Sequence, residues 1–251
     1  MASSREGKLG SKEQKAEIRE RSWRRLEEER LAAFPRPIRG RIPNFKGARD
    51  AAARLAELPE FRDAKAIKAN PDAPQLPVRR LVLEQGKLLL TPTPRLRKGF
   101  LLLDPAKLRK QDLRKAASIG GAAKLAERIE LDDLPRIDFI VVGTVAVTER
   151  GARVGKGEGY AELEYATLRQ LGRITEAVPI ATTVHDVQVV EDIPIEPFDV
   201  PIDIVVTPTH VIRTRSRHAK PKGIIWDLLD PSRLEEMPIL KELRERSKPR
   251  G

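Results

Sequence analysis

The densest chemistry in the chain lies between Gly151 and Leu168, which read GARVGKGEGYAELEYATL. Gly155, Gly157 and Gly159 alternate there with Lys156 and Glu158. Without Cβ atoms in the way, backbone N–H groups can close on an anion. A helix following the loop adds the positive end of its dipole, and Arg153 and Lys156 add full charges at the same mouth. The spacing is neither a P-loop nor a dinucleotide-binding G-x-G-x-x-G. A flexible hairpin turn with a solvated lysine is the plain alternative. The pair His185-Asp186 in TTVHDVQVV is a second candidate for chemistry. Neighbours within a strand face opposite ways and form no dyad, but at a strand end both can line a crevice. His185 is expected to line the site on that ground. His210 and His218 lack ligand spacing and read as surface residues.

The elements that must position these groups alternate along the chain. Lys12 to Ala33 forms a helix with an apolar stripe of Ile18, Trp23, Leu26 and Leu31, ended by Pro35 and Pro37. A short helix is expected near Ala48 to Leu58. Ala64–Ala69 reads as a strand, Val78–Gln85 as a helix closed by Gly86, and Leu88–Thr91 as a strand entering the Pro-rich TPTPRLRKG. Phe100–Leu103 is extended and is followed by a helix through Arg109–Ala117. IDFIVVG, from Ile137 to Gly143, is a continuous apolar run of the kind covered on both faces of a sheet. The glycine loop precedes a helix from Tyr160 to Leu171. Val178–Val184 and Ile202–Val206 supply further central strands, and Met237–Arg246 a terminal amphipathic helix. Strands alternating with helices predict an α/β fold with a largely parallel sheet. Residues Met1 to Ser11 are read as a disordered basic tail and residues 12–251 as a single domain.

Composition excludes several classes. No stretch reaches the ~20 apolar residues that span a bilayer, and the N-terminus lacks the apolar core of a secretory signal. There are no cysteines, so disulfides and thiolate metal sites are ruled out. A cytoplasmic protein with no membrane partner is the expectation. Twenty prolines, two methionines and many ion-pairable side chains suggest adaptation to heat. The net charge of +11 attracts polyanions, RNA and nucleotides alike. With 4% aromatics and no RNP1 signature, dispersed surface basicity is favoured over a nucleic-acid site.

RVGKGEGYAE resembles the motif of 5-formyltetrahydrofolate cyclo-ligases, R-L-G-R-G-G-G-Y-Y-D, which binds ATP phosphates and magnesium. Arg153, Gly155, Lys156, Gly157, Gly159 and Tyr160 hold the motif. Glu158 and Ala161 depart from it, and Glu162 stands where the family has its magnesium-associated Asp. Lys15 and Arg19 resemble the K-x-x-x-R pair of the family's first helix, whose charges reach the ATP phosphates. At i,i+4 these two share a helix face. Gln188, Asp199, Asp203 and Thr207 fall in a downstream pattern like Q-V-V…D-x-x-x-D-x-x-V-T. A narrower resemblance, carried by RIPNFKGA, TPTPRLRKG, GKGEGYAELEYA, TTVHDVQVV and PKGIIW in order, covers Lys12 to Ser247. It is to the methenyltetrahydrofolate synthetase domain-containing branch, here without the RNA-recognition module that animal members append.

The resemblance implies a three-layer α/β/α fold like that of the NagB, ribose-5-phosphate isomerase and CoA-transferase group. It implies ATP and Mg2+ as cofactors, and ATP-dependent conversion of 5-formyltetrahydrofolate, or a related reduced pterin, to the 5,10-methenyl form. Arg153, Lys156 and Tyr160 would be catalytic. The ATP-binding set would be Lys15, Arg19, Gly155, Lys156, Gly157, Glu158, Gly159 and Tyr160, with Glu162 as the metal ligand. His185, Asp186 and Gln188 are the expected site-lining residues. The segment KANPDAPQLPVRR does not reproduce the acidic, tyrosine-bearing stretch used against the pterin. The alternative is therefore a catalytically lapsed relative that binds nucleotide or RNA.

Overall fold

A computed structural model describes residues 10–247. The expected N-terminal tail falls outside these residues up to position 9, and Ser11, assigned to it, already opens the first helix. In chain order the main elements are α1 (Ser11–Glu28), α2 (Ala48–Ala56), α3 (Pro59–Asp63), β1 (Ala66–Ala69), α4 (Leu76–Glu84), β2 (Leu88–Pro92) and β3 (Phe100–Leu103). There follow α5 (Leu113–Ala116), α6 (Ile119–Leu125), β4 (Glu127–Ile129), β5 (Phe139–Val142), β6 (Ala146–Thr148), β7 (Arg153–Val154) and α7 (Tyr160–Gln170). The chain then runs through β8 (Ile180–Thr183), β9 (Val189–Val190), β10 (Ile204–Val206), β11 (Val211–Arg213), α8 (Ser232–Glu236) and α9 (Pro238–Arg246).

An eight-stranded sheet of order β11-β10-β8-β5-β1-β2-β3-β4 forms the middle layer. From β10 to β2 all neighbours are parallel, while β11, β3 and β4 pair antiparallel at the two edges. Side chains alternate across it with period two. Ile67, Leu89, Phe139 and Val141 pack on one face with α2 and α4. Leu90, Ile140, Val142, Ile180 and Val205 pack on the other with α7 and α9. Both faces are covered, which is why β5 reads as an unbroken apolar run. A third cluster seats Ile18, Trp23 and Leu26 of α1 on a small sheet of order β7-β6-β9. The expected three-layer α/β architecture is the one observed.

From β1 the chain crosses through α4 to β2 on one side, then returns to place β5 on the other side of β1. The carboxyl ends of β1 and β5 therefore splay apart at a topological switch point, the usual place for a ligand crevice in such sheets. Most boundaries shift by one or two residues, and two differ more. α1 ends at Glu28 rather than at Ala33, because Leu31 and Ala32 both donate back to the Leu26 carbonyl and Arg30 takes a left-handed φ of 56°. The expected helix through Arg109–Ala117 is a 3-10 turn at Lys110–Asp112 followed by the short α5.

Candidate functional site

A cavity of about 840 Å³ opens over the carboxyl ends of β1, β2 and β5. Its walls include Asn70, Asp72, Thr93, Gly143 and the whole turn Gly155–Gly159, with Lys15 and Arg19 of α1 across from them. This is within the size range of small-molecule sites.

The turn lies between β7 and α7. Gly157 has φ +101° and Gly159, the N-cap of α7, φ +70°, conformations that side-chain-bearing residues avoid. Among the described residues, none of the amide N–H groups of Lys156, Gly157, Glu158 and Gly159 donates to a protein acceptor, and the α7 N-terminus has no side-chain cap. Unpaired donors at a helix N-terminus form an anion-binding concavity. The Arg19 Nε donates to the Gly155 carbonyl at 2.7 Å, and a Cβ on Gly157 would sit 3.3 Å from the Arg19 guanidinium carbon. Helix α1 is thus brought onto the loop through Arg19.

The cations around the turn differ in what holds them. Lys15 is buried and its ammonium lies 2.5 Å from Asp199 and 3.4 Å from Glu196. Lys156 pairs with Glu158 at 2.6 Å, so the acidic residue in the loop turns back on its neighbour. Arg153 is buried, donating to the Gly143 carbonyl at 2.9 Å and pairing with Glu162. Arg19 has a carbonyl but no carboxylate at ion-pair distance among the described residues. Burial, opposed by the charge of Glu162, lowers its guanidinium from the usual range. The Tyr160 ring lines the cavity, with the Arg233 guanidinium 5.0 Å from its centre.

Among the described residues no three His, Cys, Asp or Glu side chains converge as a metal cage. The Glu162 carboxylate borders the cavity with Oε1 taken by Arg153 and, among the described residues, no partner at Oε2. One carboxylate oxygen beside a phosphate-type cradle suits Mg2+, which takes most of its ligands from phosphate and water.

The floor carries groups that the sequence reading missed. Lys68 of β1, 1% exposed, pairs with Glu164 of α7 at 2.5 Å, and Asn70 donates to the same carboxylate oxygen at 3.0 Å. Burial pushes the Glu164 carboxyl pKa up despite Lys68. Asp72 opens part of its surface to the cavity yet is set deep in protein, and its pKa is raised because burial outweighs the charges of Lys156 and Arg79. Arg79 is spent on backbone, donating to the carbonyls of Asn70, Asp72 and Ala117; burial lowers its pKa to about 10. A lysine among the apolar residues of AIKA is the one signal that could have revealed this floor.

His185, Asp186 and Gln188 do not line the cavity, contrary to expectation. After β8 the chain turns at His185 into a 3-10 turn, where the His185 Nδ1 accepts from the Val187 N–H and the Gln188 Oε1 from the His185 N–H. Gln188 is buried against the carbonyls of Thr144 and Val145, and Asp186 accepts from Thr209 at 2.5 Å beside His210. The crevice lies over β1, β2 and β5, and the turn after β8 packs instead against Thr144, Val145 and the Phe45 ring. Trp23 is a core residue as expected, and its indole donates to the Arg41 carbonyl.

Fold and cavity together define a layered α/β protein with a ligand-sized crevice at the carboxyl edge of its sheet. A family model for the 5-formyltetrahydrofolate cyclo-ligases matches residues 11–208, and the chain belongs to that family. A methenyltetrahydrofolate synthase domain-containing protein of Mus musculus is 47% identical over 242 residues, 94% of this chain and 65% of the relative. The chain thus spans just under two thirds of that relative. The 5-formyltetrahydrofolate cyclo-ligase of Escherichia coli (strain K12) is 36% identical over 78 residues, 31% of this chain and 40% of that protein. In the solved structures, the 5,10-methenyltetrahydrofolate synthetase of Aquifex aeolicus shares the fold with TM-score 0.51 at 24% identity, covering 82% of this chain and 95% of that one. Among the described residues no helix is long and apolar enough to cross a membrane.

Proposed function

We propose that this chain is an ATP- and Mg2+-dependent ligase that converts 5-formyltetrahydrofolate, or a related reduced pterin, to the 5,10-methenyl form with release of ADP and phosphate. It acts as one domain from residue 12 onward, in the cytoplasm, on small molecules rather than nucleic acid. One observation carries the reading: Arg19, a cation with no carboxylate at ion-pair distance among the described residues, is fastened to a turn whose four amides are unpaired.

The formyl oxygen attacks the γ-phosphorus and ADP leaves. N10 then adds to the activated formyl carbon, and phosphate departs as the ring closes. Such a reaction asks the protein for positioning and charge neutralisation more than for covalent chemistry. The amides of Lys156 to Gly159 cradle the phosphates and Arg19 answers their charge. Lys15 and Lys156 exchange Asp199 and Glu158 for phosphate oxygens as the nucleotide enters. Arg153, with both terminal nitrogens engaged, positions Glu162 and acts through it. Glu162 would hold Mg2+, which would supply further charge neutralisation at the phosphates when bound. Tyr160 forms the wall beside the loop.

Titration calorimetry with Mg-ATP, followed by absorbance at the methenyl band on adding 5-formyltetrahydrofolate, tests the reading. Arg19→Gln should weaken Mg-ATP binding by about tenfold or more, the value of one charge-assisted contact. Unchanged affinity in that variant would sink the loop assignment. Tight ATP binding without methenyl product would reject 5-formyltetrahydrofolate as the substrate.

A further inference from the structure

The family model ends at residue 208, yet the chain continues into a segment that touches the glycine turn. Ile224, Met237, Ile239, Leu240 and Leu243 are buried in the same core as Tyr165, Ala166 and Leu168 of α7. This segment is therefore welded to the sheet rather than hung from it. α8 projects Arg233 over the loop, where its guanidinium makes three contacts. It donates to the Glu158 carbonyl at 2.6 Å, lies 5.0 Å from the Tyr160 ring centre, and pairs with Glu236 at 2.9 Å. Glu236 in turn lies 3.5 Å from the Tyr160 hydroxyl.

From these contacts we infer that Arg233 is a positioning residue of the nucleotide site, and that the segment after residue 208 forms the outer clamp of the phosphate loop. The inference rests on the nucleotide reading above. A turn with Gly157 and Gly159 at positive φ has many conformations open to it and little of its own to hold one. Two arginines from distant parts of the chain fix it: Arg19 takes the Gly155 carbonyl and Arg233 the Glu158 carbonyl. With both carbonyls held, the amides between them stay together for one anion. The cation–π contact sets the Tyr160 ring at the cavity wall in the same stroke. Arg233 reaches a carbonyl and a ring that border the ligand, not the ligand itself, so its effect falls on affinity for the nucleotide and not on the chemical step.

The test compares Arg233→Gln and Arg233→Lys in the full chain. Each would be assayed by calorimetry with Mg-ATP, by KM and kcat for both substrates, and by thermal midpoint. Arg233→Gln should raise the Kd and KM for ATP about tenfold while kcat and the KM for the reduced folate hold. Arg233→Lys keeps a donor for the Glu158 carbonyl and should recover part of that loss. Equal ATP affinity in wild type and Arg233→Gln overturns the inference. So does a loss that tracks a fallen thermal midpoint and is shared by Arg233→Lys, since that is the mark of a structural role. Wild type that binds no Mg-ATP overturns the nucleotide reading itself, a result distinct from either.

Discussion

The mouth and the floor of the cavity are both built from ion pairs, but on different terms. At the mouth Lys156 and Glu158 are 37% and 45% exposed. At the floor Lys68 and Glu164 are 1% and 5% exposed, with Asn70 closing the carboxylate. An exposed pair contributes ~0–1 kcal/mol and can be exchanged for a better partner. A buried pair is held because breaking it strands a charge where water cannot reach. The Lys156–Glu158 pair is thus adapted to trade partners with a ligand, and the Lys68–Glu164 pair to keep its own.

That contrast can be broken most forcefully at the floor. Glu164→Leu leaves the Lys68 ammonium buried with no counter-charge, held only by the Asn70 Oδ1 at 3.0 Å, and should cost about 3–5 kcal/mol in urea unfolding. The double variant Lys68→Met with Glu164→Leu should recover most of it, since a buried pair replaced by apolar groups of like size is often neutral. No recovery would mean that the pair is needed for more than its own compensation.

At the mouth the effect should be smaller and of opposite sign. Glu158→Gln frees Lys156 without stranding it, so Mg-ATP affinity should rise by up to about fivefold, as expected for release from one exposed pair. A weaker-binding Glu158→Gln chain would show that the carboxylate helps hold the ligand or its metal, and the mouth would no longer be a place of mere exchange.

The smallest effect belongs to His185, outside the cavity, where acid sensitivity should be local. Burial holds its imidazole below the usual 6.5. A folded-state pKa below the unfolded one gives a contribution complete above about 6.5 and lost as pH falls through the lower value. Protonation also removes the acceptor that caps the 3-10 turn. Between about pH 7 and pH 5 the unfolding midpoint should fall less for His185→Asn, which keeps a capping acceptor, than for wild type. Equal slopes would remove His185 from the acid response.

Much of the frame is legible in the residues. The apolar run at β5, the strands at β1, β2, β8 and β10, and the helix after the glycine turn come from local period and burial pattern, which act within a few residues. The candidate loop is legible for the same reason, since alternating glycines and the α7 N-terminus are neighbours in the chain. His185 was misplaced because a strand end can face either side of a switch point, and the direction in which the chain leaves β8 is a tertiary matter.

By itself the amino-acid order determined which segments could be strands and helices, where the backbone could bare its amides, and that Lys15 and Arg19 share a face. Only the tertiary structure decided which charges are free. Lys68 and Glu164 are 96 residues apart, Arg19 and Gly155 136, and Arg233 and Glu158 75. No local pattern selects partners over such spans. Ion pairing and burial depend on distance in space, and the folding of α1, α7 and α8 around the carboxyl edge of the sheet sets those distances.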